Sequence, residues 1–155
     1  MITKRGNPEW RRFASLHENM HSYIGSVNEI FNQVAMPTPS FLDNMPVGFN
    51  PILYKVLDEG LAQWGAVEAS AIAKGSRTFE QREEAHEHFV GSATYPYFYR
   101  EGYNFIRVLM ERFQVAGLDT SSALALVTKN LPSNFEQIEK PDDYFKILAA
   151  KTKDL

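Results

Sequence analysis

The sequence predicts an all-α fold, or one very close to it. Three observations lead there. Apolar residues recur at helical spacing, clearest in Phe98, Phe105, Val108, Leu109 and Phe113. The periodic segments open on helix-start signals: Asn7-Pro8, Asp119 ahead of Thr120-Ser121-Ser122, and Pro141-Asp142-Asp143. No run alternates like a half-buried strand, and only Met1 to Arg5 could supply a very short one.

The elements follow in order. Asn7 caps and Pro8 opens a long first helix, to about Gln33, with Ala14, Leu16, Met20 and Ile24 as its apolar flank. Met36 to Asn50 carries Pro37, Pro39, Pro46 and Gly48 and reads as an ordered loop. A second helix spans about Pro51 to Ala73, and Gly75-Ser76-Arg77-Thr78 breaks it. Thr78 opens a third, about Phe79 to Val90; Gly91 to Thr94 is a turn, and a fourth helix runs about Pro96 to Val115 until Gly117 stops it. A fifth covers about Ser121 to Lys129. Ser133-Asn134-Phe135-Glu136 reads as a capping box for a short turn of helix, and Pro141 starts the last helix, to about Lys151. No internal repeat or low-complexity tract interrupts this order.

Composition narrows the chemistry. The 155 residues suit one domain able to bury its own core, and 44% hydrophobic with 23% charged residues is ordinary for a globular protein. A net charge of −3 argues against a nucleic-acid partner. With no cysteine, disulfides, thiolate-held metal and thiol catalysis are excluded. Four histidines and the carboxylates remain as ligands for a transition metal. No apolar signal core or membrane-spanning run is read, so a cytoplasmic location without a membrane partner is expected.

The segment Leu16-His17-Glu18-Asn19-Met20-His21 carries the most chemistry. It has the form H-E-x-x-H, which on a helix sets two imidazoles one turn apart on one face to bind zinc, with the Glu as general base. Glu18 points about 100° away from His17, beside the metal and not onto it. With 4 His and 13 Glu, shuffling would produce the motif in about one chain in a hundred. The plainer alternative is a surface helix with two histidines a turn apart.

A catalytic zinc needs a third protein ligand and an open position. Ile24 and Val27 stand where the three-histidine pattern H-E-x-x-H-x-x-G-x-x-H needs Gly and His, which removes that solution. The remaining source is a carboxylate from a second helix. Glu59, Ala62, Ala66 and Ala69 form one stripe, with Gly65 and Ala73 beside it, and small residues there let two helices come close. Gly25 is expected to do the same on the first helix. Glu59 is therefore the third-ligand candidate, Glu68 the competing one, and plain tight packing with a solvated Glu59 the bland alternative.

Leu16-His17-Glu18-Asn19-Met20-His21 followed by Leu57-Asp58-Glu59-Gly60-Leu61-Ala62 resembles the gluzincin zinc metallopeptidases, in which the Glu of N/D-E-x-x-A is the third zinc ligand. Gln63 stands where the thermolysin branch has Asp, so the likeness is to the aminopeptidase-like branch and the small minigluzincins. The resemblance implies a single zincin-like catalytic domain over 1–155. It also implies Zn2+ on His17, His21 and Glu59, Glu18 as general base, and peptides or proteins as substrates. It further implies a tyrosine in Y-x-x-G that donates to the oxyanion. Tyr99-Arg100-Glu101-Gly102 matches that pattern, while Tyr95, Tyr97 and Tyr103 crowd beside it as alternatives. Asp58 is either a hydrogen-bond acceptor for a ligand histidine or a surface carboxylate. His86 and His88 lie about 200° apart on their helix and are expected on a solvated charged face. The stretch from about Asp142 to Leu155 is a candidate strap across the cleft. Two other classes stay open: a gluzincin-derived protein that binds metal without proteolysis, and a helical interaction protein with a fortuitous motif.

Overall fold

The structure, a computed structural model, describes residues 7–35, 38–45, 48–75, 78–90 and 96–152. Among them are nine helices and no strand: α1 (Pro8–Val27), α2 (Ile30–Ala35), α3 (Pro39–Asp43), α4 (Pro51–Lys74), α5 (Phe79–Val90), α6 (Pro96–Val115), α7 (Thr120–Lys129), α8 (Phe135–Glu139) and α9 (Pro141–Lys151). The fold is all-α, as the sequence predicts. The strand expected at Met1 to Arg5 and the turn expected at Gly91 to Thr94 lie outside the described residues.

Local chemistry sets the helix boundaries. Asn7 accepts from the Glu9 amide and Pro8 opens α1. The long first helix expected to reach about Gln33 ends at Val27 instead. Asn28 makes the break: its amide closes α1 on Ile24, its side chain accepts from the Ile30 amide to open α2, and its Nδ2 donates to Thr128 O at 3.0 Å. One residue whose backbone closes α1 while its side chain opens α2 and bonds to α7 outweighs continued helix propensity. The expected loop at Met36 to Asn50 holds the short α3, capped by Thr38 and opened by Pro39. The capping box expected at Ser133 and Glu136 sits one residue later: Asn134 caps α8 through the Gln137 amide, and Gln137 Oε1 accepts from Ser133 N.

Helix α4 runs through the middle, with α1 on one side and α6 on the other. Leu53, Val56, Leu57, Leu61, Ala62, Ala66 and Val67 of α4 are buried, as are Phe105, Ile106, Leu109 and Phe113 of α6. Two glycine contacts fix the spacing. A Cβ on Gly65 would overlap the Met20 side chain of α1, so the small-residue stripe does bring α1 and α4 together. On the other side Gly60 lies against the Gly102 backbone, and a Cβ on Gly102 would overlap Val56 O. Gly25 does not serve the α1–α4 approach. It faces the Asn32 side chain of α2, which donates to Gly25 O.

The strap expected from about Asp142 to Leu155 is not seen in its described part: residues 142–152 pack into the core and do not line the cavity. Tyr144 and Leu148 of α9 are buried against α6 and α8, the Tyr144 hydroxyl donates to Asn130 O at 3.0 Å, and Phe145 packs edge-on against Phe113. Residues 153–155 lie outside the described residues.

The Gly60–Gly102 contact yields a stability test. Gly102→Ala places a methyl group in backbone with no flexible neighbour to yield, and is expected to cost about 2–3 kcal/mol. The urea unfolding midpoint measures it. A variant as stable as the parent would mean that the two helices are not held at glycine distance.

Candidate metal centre

Helices α1 and α4 bring three donor atoms to one point. His17 and His21 project from the buried side of α1, and Glu59 meets them from α4. His17 Nε2 lies 3.1 Å from Glu59 Oε2 and 3.1 Å from His21 Nε2, and His21 Nε2 lies 3.4 Å from the same carboxylate oxygen. Donors on a tetrahedral ion with bonds of about 2.0–2.1 Å sit about 3.3 Å apart, and the observed triangle straddles that value. Two ring nitrogens and one carboxylate oxygen aimed at each other make a donor set that could hold a divalent metal ion.

The surroundings orient these donors. His21 Nδ1 and Asp58 Oδ1 lie 2.9 Å apart, so the ring donates to Asp58 and leaves Nε2 facing the other two ligands. Asp58 is buried at 6% exposure, which makes it an acceptor for a ligand histidine and not a surface carboxylate. Glu59 is equally enclosed, at 7%. Burial acts to raise its pKa, but hydrogen bonds from His17, His21 and Lys55 outweigh that and hold the carboxyl well below the usual carboxylate range. For His21 burial works downward, and the bonds and charges of Asp58 and Glu59 overcome it, pushing the imidazole up to about 9.

The site opens to solvent through a cavity of about 390 Å³. Glu18 and Tyr99 stand on its wall with the three donors and Asp58, as do Phe31 and Asn32 of α2. The Tyr99 ring centroid is 5.7 Å from that of His17. Burial, then the charge and hydrogen bond of Glu59, push the Tyr99 hydroxyl far up, so it stays a donor at neutral pH. Of the alternative tyrosines, Tyr103 is buried one turn further along α6, stacked on His86 with centroids 3.9 Å apart, and Tyr97 is half exposed away from the cavity. Tyr95 lies outside the described residues.

Two other expectations change. Glu68 is gripped by Arg82 of α5 at 2.6 and 3.2 Å and takes no part in the donor set. His86 is no solvated residue: it is 2% exposed, its Nδ1 lies 3.0 Å from Gln63 Nε2, and burial lowers its pKa to about 4. Gln63, at the position of the thermolysin-branch Asp, thus serves the α4–α5 contact. The side chain of His88 is outside the described residues.

Sequence reasoning missed Lys55. It is one turn before Glu59, and its Nζ lies 2.7 Å from Glu59 Oε1 and 3.9 Å from Asp58 Oδ2. The i, i+4 spacing to Glu59 was the available signal. Glu18, Asp58 and Glu59 against Lys55 leave two negative charges on the cavity when both imidazoles are neutral, which a divalent cation balances. No family model, curated protein or solved structure matches this chain.

Two outcomes test the centre. Glu59→Ala is expected to weaken binding of a divalent transition metal by more than about 100-fold, read by competition with a chromophoric chelator. Unchanged affinity would remove Glu59 from the site. The second concerns pH. The raised His21 stabilises the metal-free chain fully below its unfolded value of 6.5, and that contribution is lost as pH rises through about 9. The lowered Glu59 acts in the opposite sense, stabilising above its unfolded value of 4.5 and losing that contribution as pH falls. The melting temperature of the chelator-treated protein is therefore expected to drop between pH 6.5 and 9, and saturating metal to flatten the drop by displacing the His21 proton. Parallel curves with and without metal would contradict this coupling.

Proposed function

We propose that this chain is a zinc-dependent metallopeptidase of gluzincin type, hydrolysing peptide bonds in peptides or proteins. What carries the reading is one juxtaposition. Glu18, outside the donor triangle, shares a single open cavity with His17, His21, Glu59 and the hydroxyl-bearing Tyr99. A plain metal-storage site has no use for a carboxylate beside the ion or for a protonated phenol facing it.

Zinc is the ion that suits two imidazoles and one carboxylate with a position left open; bound there, it would supply a water reactive near neutral pH and polarise the scissile carbonyl. The chain's own groups do the rest. Once deprotonated, His17 and His21 would turn Nε2 lone pairs to the ion, the latter oriented by Asp58. Glu18 takes the proton of the attacking water and passes it to the leaving amine. Tyr99, kept protonated by its buried and negative surroundings, donates to the oxyanion of the tetrahedral intermediate. Phe31 and Asn32 give the substrate a wall with one apolar and one polar group.

Glu18→Gln separates binding from chemistry. The amide keeps the shape but accepts no proton, so zinc content is expected to stay at the parental level while hydrolysis of an unfolded protein substrate falls about 10³-fold. Zinc-loaded Glu18→Gln with parental turnover would refute the general-base role. Zinc-loaded parent protein without turnover on any unfolded protein or peptide would leave a metal-binding module.

A further inference from the structure

We propose that Lys55 is a positioning residue that makes Glu59 a one-oxygen ligand and so keeps a coordination position open. The inference rests on the metal-centre reading above, but not on peptide hydrolysis.

The two oxygens of Glu59 have different partners. Oε2 faces the histidines, at 3.1 Å from His17 Nε2 and 3.4 Å from His21 Nε2. Oε1 is held by Lys55 Nζ at 2.7 Å, a distance typical of a strong charge-assisted hydrogen bond. Lys55 and Glu59 are one turn apart on α4, so the bond needs no movement of a second element. Asp58 Oδ2, 3.9 Å from the same ammonium, steadies it from the other side.

The consequence is geometric. A carboxylate beside an ion can bind through one oxygen or both. With both, Glu59 and two imidazoles would fill four positions, and a small four-coordinate ion would have none left for water or substrate. With Oε1 engaged, only Oε2 is available to the ion. An ammonium this near a cation lowers the site's affinity through repulsion, so a purely storage-type centre would gain by losing it. Lys55 is the only lysine or arginine among the described residues lining the cavity. It is also half exposed, at 42% of its side chain, so its removal leaves the core intact.

The test uses Co2+ in place of zinc, read by visible absorption and by X-ray absorption of the bound ion, in the full chain and in Lys55→Met and Lys55→Arg. The parent is expected to give the strong band of a four-coordinate ion with an exchangeable water. Lys55→Met is expected to bind Co2+ at least as tightly, to show a second carboxylate oxygen on the ion in place of the exchangeable water, and so to shift the visible band; Lys55→Arg, which still donates to Oε1, is expected to retain the parental spectrum. A Lys55→Met spectrum identical to the parent's overturns the role of Lys55 while leaving the metal centre standing. Failure of the parent to bind Co2+ or Zn2+ overturns the metal centre itself, and this inference with it.

Discussion

Everything at the site depends on how closely α4 lies to its two neighbours. A carboxylate side chain reaches only a few ångströms, so Glu59 can meet imidazoles on α1 and a phenol on α6 only if both helices approach α4 at less than ordinary side-chain spacing. Gly65 permits that on the α1 side, where the Met20 side chain occupies the space of a Cβ. Gly60 and Gly102 permit it on the α6 side, where backbone meets backbone. The glycine of Tyr99-Arg100-Glu101-Gly102 therefore has a mechanical meaning: it seats α6 against the residue next to Glu59, which carries Tyr99 to the cavity one turn away.

Close packing would be costly if it buried Glu59 alone. An ionised carboxylate removed from water loses several kcal/mol unless charge and hydrogen bonds replace the solvent. Here His17, His21, Lys55 and Tyr99 all turn toward it. The result is a preformed cluster in which the ligand atoms already point inward. A metal ion entering it would displace a proton from His21 and would need little rearrangement of the helices.

The far side of the same helices is built differently. Gln63 and His86 pair in the interior, His86 stacks on Tyr103, and Arg82 clamps Glu68, and among the described residues no second donor set for a metal falls there. Helix α9 closes the other flank through Tyr144 and Leu148 and stays clear of the cavity. Polar groups are thus divided along α4, with the candidate metal donors around Glu59 and a structural set at Gln63 and Glu68. One turn of helix separates Glu59 from Gln63, which shifts Gln63 about 6 Å along the axis and brings it beside His86 instead of the α1 histidines.

The sequence alone determined what depends on neighbours within one or two turns. The helices at Pro51 and Pro96, the cap at Asp119, and the pairing of His17 with His21 are local matters of backbone geometry and side-chain spacing. The small stripe around Glu59 was also legible, because tight packing requires small residues wherever it occurs. What only the tertiary structure decided involves partners distant along the chain. Asn28 ends α1 early because Thr128 of α7 waits for its amide. Gly25 faces Asn32 and not α4, and His86, on a segment that reads as solvated, is buried because Gln63 and Tyr103 take it in. Tyr99 and not Tyr97 faces the cavity because the Gly60–Gly102 contact sets the rotation of α6, and Tyr103, one turn further along, meets His86 instead. Periodicity places a side chain on a helix face; only the packed arrangement determines what that face meets.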